Sequence, residues 1–367
     1  MKRICLVALV AACGGTTTSN PAAPQSWTGK VASTLDLPSG TALLPDSGKS
    51  TRSAPQGIAA IGGNVYVVLT NLAPDYTAGG PGLVVVIDPI TNAIQKTVSL
   101  GACRDPGFAR ADGSNLIITC AGDFSGSAAG GAGLAIYDTT TDTAIVIDTG
   151  AAPGTAVRAG GEIFIGDAAS GGLLRVDAVS HVVQNGRGGA APIMVCPANS
   201  KGLAFVADLV DTGSQLLAAC FNTNQIVALN RVTGQPIADA SATVSDGPVS
   251  LAWDGKDTWV ASSLANSVDR VSSGATLSTS KSAIDLTGGG TAKAAPQQVV
   301  FADGAAYIVD SGTNNVVKFD PEKLRVLAVA HLEDGSNPYN LAVVAPDVLY
   351  VTENLTNKVA RVEFHAQ

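Results

Sequence analysis

Two stretches in the last quarter of the chain contain the pattern from which the fold is inferred. Residues 296–320 read PQQVVFADGAAYIVDSGTNNVVKFD, and residues 338–363 read PYNLAVVAPDVLYVTENLTNKVARVE. Each begins at a proline and holds three short apolar runs separated by Gly, Asn or Asp, and Tyr307 in the first aligns with Tyr350 in the second. Short strands joined by tight turns in a recurring unit are typical of a repeat protein.

The same unit recurs along the chain with a mean period of about 47 residues. Four strands per unit of this length are the signature of propeller blades. Seven starting prolines predict seven blades, and the irregular stretch 191–222 leaves six or eight open. The prolines are Pro55, Pro106, Pro153, Pro197, Pro248, Pro296 and Pro338.

The last unit is too short for four strands, because only 30 residues run from Pro338 to Gln367. Residues 30–37 (KVASTLDL) resemble residues 93–100 (AIQKTVSL), the fourth strand of the first blade. Pairing residues 30–37 beside the last three strands would close the ring and remove its exposed edges. We therefore expect an all-β fold: a seven-bladed propeller of four-stranded antiparallel blades, closed by an N-terminal strand, in one domain spanning 28–367.

The composition agrees with this fold and limits the classes of partner that the protein can bind. The chain has 41 Gly and 18 Pro with only 14% charged residues, which argues against a helical protein, and 46% hydrophobic residues argue against disorder. The formal net charge is −8, and no basic run is present. We expect no nucleic-acid partner, since binding to the phosphate backbone needs clustered Lys and Arg.

The N-terminus reads as a targeting segment. Two basic residues precede the apolar run 4–10, and Val10-Ala11-Ala12-Cys13 resembles a bacterial lipobox. The resemblance implies cleavage of a signal peptide at 1–12 and lipidation of Cys13, with residues 13–27 as lipidated cysteine and flexible tether. Gly14 in place of Asp implies the outer membrane, on its periplasmic or cell-surface face. An ordinary secretory signal is the alternative.

A polar residue ends each predicted third strand. Carboxylate and amide oxygens at such places accept hydrogen bonds from the backbone N–H groups of the next turn, so we expect a structural role for this series. Its members are Asp88, Asp138, Asp177, Asn230, Ser272, Asp320 and Glu363.

The stretch LYVTENLTNKVARVE, residues 349–363, resembles the YVTN-type β-propeller repeat. The period extends the resemblance over most of the chain, but the motif covers only one or two blades. The resemblance implies a propeller, an extracytoplasmic setting and a binding or surface role. It implies no catalytic residue set.

Four cysteines remain after Cys5 leaves with the signal peptide and Cys13 takes lipid. Cys103 and Cys196 end fourth strands, whereas Cys120 and Cys220 end second strands. Both kinds of strand end open on the same face of a propeller. The repeated relation predicts Cys103–Cys120 and Cys196–Cys220 disulfides, which an oxidising compartment favours.

The predicted second-strand ends are the best candidate for a site, at the rim of the central channel. Asp167, Asp310 and Glu353 could hold a hard cation such as Ca²⁺ through their oxygens. Lactonase-type propellers bind a metal in this place, but the Leu, Ser and Cys residues here depart from their ligand set. Carboxylates that cap turns, with no cofactor, are the simpler reading. The seven positions are Leu69, Cys120, Asp167, Cys220, Ser262, Asp310 and Glu353.

Two adjacent blades carry long second-to-third connections, residues 70–82 and 121–133. Loops of this length in tight blades are common places for binding, and Tyr76 and Phe124 are aromatic candidates for a partner surface. Insertions without a role are the alternative.

No catalytic constellation is apparent. The three histidines have no Ser or Cys partner at a suggestive spacing, and no HExxH, GxSxG or phosphate-binding loop occurs. We expect a non-enzymatic, lipid-anchored, monomeric binding scaffold for a protein, glycan or small molecule. The alternatives are a metal-dependent hydrolase or lactonase-like enzyme at the channel mouth and a structural component of the envelope.

Overall fold

Seven antiparallel sheets form a closed ring in the computed structural model of the chain. The structure describes residues 26–39, 51–75, 77–122, 130–150, 153–168, 170–272, 274, 276–287 and 293–367. The innermost strand of each sheet contacts the innermost strands of its two neighbours, and the contact between β2 (Pro55–Ile61) and β27 (Pro338–Ala345) completes the circle. The predicted seven-bladed propeller is confirmed.

The strands follow one another in sequence order within each blade. The first four blades are β2 (Pro55–Ile61), β3 (Asn64–Leu69), β4 (Leu83–Asp88) and β5 (Ala93–Ser99); β6 (Pro106–Asp112), β7 (Asn115–Ala121), β8 (Ala132–Asp138) and β9 (Thr143–Ile147); β10 (Pro153–Ala159), β11 (Glu162–Asp167), β12 (Gly172–Asp177) and β13 (Val183–Asn185), with β14 (Ile193–Met194) as a fifth strand beside β12; and β15 (Val206–Asp211), β16 (Leu216–Cys220), β17 (Gln225–Leu229) and β18 (Pro236–Thr243).

The remaining blades complete the ring with the same order. They are β19 (Pro248–Trp253), β20 (Asp257–Ser262), β21 (Ser267–Ser272) and β22 (Ser278–Asp285); β23 (Pro296–Ala302), β24 (Ala305–Asp310), β25 (Asn315–Asp320) and β26 (Arg325–His331); and β27 (Pro338–Ala345), β28 (Val348–Glu353) and β29 (Lys358–Ala366), with β1 (Trp27–Asp36) on the outside.

The N-terminal strand closes the seventh blade, as predicted. β1 pairs antiparallel with β29, from Trp27 opposite Ala366 to Asp36 opposite Lys358. Because a strand from one end of the chain is hydrogen-bonded to strands from the other end, the ring is closed without covalent linkage.

The two faces of the ring differ in their connections. We call the face with the second-to-third connections and the links between blades the loop face, and the face with the first-to-second and third-to-fourth connections the turn face. Five first-to-second turns on the turn face consist of only two residues. They are residues 62–63, 113–114, 160–161, 303–304 and 346–347.

Six of the seven predicted prolines are the first residues of innermost strands. Proline is tolerated at that place because the first residue of a strand need not donate to the ladder. Pro197 is the exception, since the innermost strand of the fourth blade begins at Val206. The chain just before Pro197 forms β14, which adds to the preceding blade, and no strand lies between Pro197 and Val206; this insertion explains the irregular spacing in this region.

The predicted caps at the third-strand ends are confirmed in five blades. For example, the backbone N–H groups of Ile90 and Thr91 donate to Asp88. Backbone hydrogen bonds of this kind hold the pKa of the Asp88 and Asp177 carboxyls below its ordinary value. The five caps are Asp88, Asp138, Asp177, Asn230 and Asp320.

Two members of that series differ. Glu363 does not end a strand, because it lies inside β29 and pairs with Arg361 and with Lys30 of the closing strand. The turn after Ser272 includes positions 273 and 275, outside the described residues.

The hydrophobic core lies between blades and is divided into one cluster per contact. One cluster joins Tyr66 and Val68 of the first blade to Leu116, Ile118 and Tyr137 of the second. The second and third strands of the blades are therefore buried on both faces, which accounts for their nearly continuous apolar runs and for the low overall charge. Among the described residues, no helix has the length and apolarity needed to span a membrane.

Candidate functional site

The seven second-strand ends predicted to surround the channel are all buried. Each lies one strand away from the axis. Asp310 at this place is paired with Pro296, and Glu353 is paired with Pro338. The channel cavity is lined by residues of the innermost strands, and the second-strand ends lie behind them, inside the blades.

The three predicted carboxylates act within their own blades. Asp310 accepts hydrogen bonds from the backbone N–H groups of Ala295 at 2.7 Å and Gly312 at 3.0 Å, which links the blade entrance to the next turn. Asp167 accepts a hydrogen bond from the hydroxyl of Ser170. Both therefore do the work of turn caps.

Glu353 differs from the other two because one of its buried carboxylate oxygens lacks a hydrogen-bond donor among the described residues. The Thr356 hydroxyl donates to its Oε2 at 3.0 Å, whereas its Oε1 is buried with no partner among the described residues. Burial raises the pKa of this carboxyl above its ordinary value. A buried oxygen without a donor favours the protonated form, which is a poor metal ligand.

The described residues contain no group of three or more His, Cys, Asp or Glu side chains placed to hold a metal ion. Asp167, Asp310 and Glu353 are therefore not brought together in one. Calcium binding at these residues stays a prediction, without support from their arrangement.

Both disulfides join the cysteines in the predicted pairs. Cys103 is bonded to Cys120 and Cys196 to Cys220, and all four residues are buried. Each bond ties the entrance of a blade to the end of a second strand on the loop face. A cysteine in such a bond cannot be a metal ligand or a nucleophile.

Side-chain-to-backbone hydrogen bonds that were not predicted link four consecutive blades along the wall of the channel. Asp208 Oδ2 accepts from the N–H of Leu251 at 2.7 Å. Ser250 and Gln298, at the same place in the next two blades, accept from Val299 and Leu341. The innermost strand is an edge with unpaired N–H groups, and a polar side chain from the preceding blade satisfies one of them.

Arg110 crosses the channel from the second blade to the fourth. Its guanidinium donates to Asp208 Oδ1 at 2.5 Å and to the carbonyl of Leu209 at 2.6 Å. Thr155 of the intervening blade also donates to Asp208, at 2.8 Å. The cavity that remains between the innermost strands has a volume of about 210 Å³. The Asp208 carboxylate in this cavity is engaged by protein donors, so we assign it a structural role.

The sequence contains a weak signal for these hydrogen bonds. Polar residues recur two positions after the blade-opening prolines, at Thr155, Ser250, Gln298 and Asn340. Phe108 occupies the equivalent place in the second blade, and its ring lies 6.4 Å from that of Tyr339. A series that mixes polar and aromatic residues is hard to recognise from one sequence.

The loop face holds the long connections. In residues 70–82 the chain folds back on itself: Leu72 pairs with Arg52 and with Ala78, and Asn71 donates to the carbonyl of Pro81 at 2.8 Å. Leu72 is buried, so this connection is packed against the blade entrance. The second connection includes residues 123–129. Phe124, like Tyr76 in the first, lies outside the described residues.

The histidines are on the periphery. His181 lies in a turn, His331 ends an outer strand beside Asp334, and His365 lies near the end of β29 beside Glu363. None of them is among the described residues that line the channel cavity.

Solved structures with the same fold include two lyases and the β-propeller domain of another protein. A streptogramin B lyase structure superposes with a TM-score of 0.66 at 10% identity, covering 92% of this chain and 98% of that one. Virginiamycin B lyase from Staphylococcus aureus has a TM-score of 0.64 at 12% identity over 92% and 99% of the two chains. The β-propeller domain of Cps50 (Swd1) from Myceliophteria thermophila has a TM-score of 0.63 at 11% identity, covering 91% and 99%.

At these identities the likeness shows the propeller fold alone. No protein-family profile matches the chain, and no curated protein matches it. The fold hosts unrelated activities, so a function must be argued from this chain's own surfaces.

Proposed function

We propose that this protein is a lipid-anchored, extracytoplasmic binding scaffold whose loop face captures a protein, glycan or small-molecule ligand. The proposal rests on the difference in length between the connections on the two faces. The long link 186–205, the described part of the connection 70–82 and both disulfides lie on the loop face, opposite a face of tight turns. Varied loops on a rigid scaffold are where binding sites arise.

The register of the closing strand supports an outward display. β1 starts on the turn face, where Trp27 is opposite Ala366, and runs toward the loop face. A lipid at Cys13 would therefore tether the turn face to the membrane and leave the loop face pointing away from it. A tether of residues 13–27 that behaved as a random coil would span roughly 20 Å. The two disulfides agree with an oxidising compartment such as the periplasm or cell surface.

The enzyme alternative has less support. A cation-dependent hydrolase needs ligands that converge, and the described residues contain no such cluster. The lyases with this fold offer no residue that can be carried over at such low identity. No observation on this chain favours either reaction.

Site-specific photo-crosslinking in intact cells tests the proposal. A photoreactive phenylalanine is placed at the exposed loop-face residues Met194 and Leu264 and, as matched controls, at the exposed turn-face residues Ile90 and Val179. We expect adducts from the loop face and none from the controls. Equal adducts from both faces, or none from either, would contradict a binding role for the loop face.

The anchor is tested separately with Cys13→Ser. We expect the variant to be released from membranes, because the thiol that takes the lipid is gone. A variant that is fully processed and still bound to membranes would overturn the lipid anchor and leave the scaffold proposal unaffected.

A further inference from the structure

An aromatic groove opens on the turn face between the fifth and sixth blades. Its volume is about 760 Å³, and it contains Trp253, Trp259 and Phe301. A second groove of about 340 Å³ adjoins it and contains Trp27. Asp303, Gly304 and Glu322 line both grooves. The two grooves together hold all three tryptophans of the chain.

Two of these rings are available to a ligand. Trp253 and Phe301 are half-buried and stand five residues after the blade-opening prolines of consecutive innermost strands. Trp259 is buried behind them, with its ring centroid 5.7 Å from that of Phe301. Packing against Trp259 holds the Phe301 ring in place before a ligand arrives.

Carboxylates surround the rings. The lining residues of the two grooves include six acidic and three basic side chains, which gives a formal charge of −3. Asp303 and Glu322 are exposed, and neither pairs through its side chain with another described residue. The acidic residues are Asp254, Asp257, Asp303, Asp320, Glu322 and Asp347, and the basic residues are Lys256, Arg270 and Lys318.

The second groove already holds a cation in this kind of environment. The ammonium group of Lys318 lies 3.1 Å from the ring centroid of Trp27 and forms an ion pair with Asp347, and the Lys318 side chain is buried. A tryptophan face beside a carboxylate binds a cation through the ring quadrupole and the negative charge together. In the first groove Arg270 lies 5.9 Å from the ring centroid of Trp259 and pairs with Asp257. The rings of Trp253 and Phe301 and the carboxylates of Asp303 and Glu322 offer the same two kinds of group and have no cation partner among the described residues.

We propose that the groove formed by Trp253, Phe301, Asp303 and Glu322 binds a Lys- or Arg-rich segment of a partner protein. Cationic side chains pair with Asp303 and Glu322 and stack on the two rings. The negative charge of the groove repels an anionic ligand, and complementary charge selects a basic segment. The site is distinct from the loop face and does not depend on its binding role.

Fluorescence anisotropy with the full chain in detergent tests this site. The probes are fluorescein-labelled octalysine, octaglutamate and a labelled neutral hexasaccharide. The double variant Asp303→Asn/Glu322→Gln is compared with Asp239→Asn/Asp334→Asn, which removes the same charge from exposed positions elsewhere on the chain. Trp253→Ala probes the aromatic contribution, with circular dichroism as the check of folding.

We expect octalysine to bind the parent chain and to bind the groove double variant and Trp253→Ala about tenfold more weakly. The affinity falls as salt increases, because exposed charges are screened. The distant double variant retains the parent affinity. Equal losses in both double variants, preferential binding of the hexasaccharide, or no octalysine binding by the parent would overturn the proposal.

Discussion

Arg110 and Asp208 connect two blades that are not neighbours. The guanidinium of Arg110 reaches past the third blade and meets the buried Asp208 carboxylate at 2.5 Å, while Thr155 of that third blade donates to the same oxygen. The N–H of Leu251 in the fifth blade donates to its other oxygen, so four blades are joined at one carboxylate. The Arg110–Asp208 pair spans the channel between the innermost strands of the two blades.

Removal of Arg110 should destabilise the ring. Arg110→Met leaves the buried Asp208 carboxylate with backbone and hydroxyl donors only, and we expect the free energy of unfolding to fall by about 2 kcal/mol. Urea denaturation followed by circular dichroism measures the change. Arg158→Met is the control, because Arg158 pairs with Asp112 through a more exposed contact and should lose less than about 1 kcal/mol. Equal losses would contradict a special role for the cross-channel pair.

The disulfides should stabilise the loop face. Their sequence separations are 17 and 24 residues, so replacing either pair with alanines should lower the free energy of unfolding by roughly 3 kcal/mol through the entropy of the unfolded chain. Urea denaturation of each double variant measures the loss, and a non-reducing peptide map should find no free thiol among these four cysteines. A Cys103–Cys196 link would contradict the pairing.

Asp105 should make stability depend on pH. Burial raises the pKa of its carboxyl from 3.8 to about 6, so the folded state holds this proton more tightly than the unfolded chain. Between about pH 4 and 6 the unfolded chain loses the proton first, and the contribution of this group to stability falls as pH rises. Asp105→Asn cannot ionise and accepts the positive φ of this residue. The Tm of the variant relative to the parent should therefore be higher at pH 7 than at about pH 4. A Tm difference that does not change with pH would show that Asp105 titrates normally.

The closing strand should be sensitive at Gly29. A Cβ there would lie 2.6 Å from the ring of Phe364 and 2.9 Å from the backbone nitrogen of Ala330. Gly29→Ala should therefore lower the free energy of unfolding by about 1–3 kcal/mol. Gly161→Ala, where a Cβ meets open space, is the matched control. A loss of the same size in both, measured by urea denaturation, would contradict tight packing of β1.

A chelator should leave the thermal stability of the protein unchanged, whereas loss of the turn cap at Asp310 should lower the free energy of unfolding. Asp310 is already satisfied by two backbone donors, so we expect EDTA or added calcium to leave Tm unaltered. Asp310→Asn weakens those charge-assisted bonds and should cost about 1–2 kcal/mol. A rise of Tm with calcium that Asp310→Asn abolishes would instead establish the cation site.

Sequence reasoning was most accurate where the determinants are local or periodic. The Asp88-type caps depend on a side chain and the two or three residues after it, and the disulfide pairing followed from two cysteines recurring at the same places in the repeat. The closing strand could be predicted because residues 30–37 resemble the fourth strand of the first blade, and the last blade lacks a fourth strand of its own. Pro197 was misassigned because the insertion that forms β14 breaks the period.

The candidate sites were harder to predict because they lie between blades. The hypothesis that Asp310 and Asp167 belong to one cation site rests on their equivalent positions in the repeat. Equivalent positions in a ring of seven blades do not have to lie close together. Arg110 and Asp208 belong to different places in the repeat, 98 residues apart, and nothing local links them. The same holds for Trp27 and Lys318.

Thus the amino-acid order alone indicates the strands, their turns, the number of blades and the strand that closes them, because these depend on short-range hydrogen bonding and on a period. Which side chains meet across the channel and along the turn face follows from the curvature of the closed ring. That curvature brings blades that are distant in sequence together around an axis. It also places polar side chains of one blade next to unpaired backbone groups of another, with which they form hydrogen bonds.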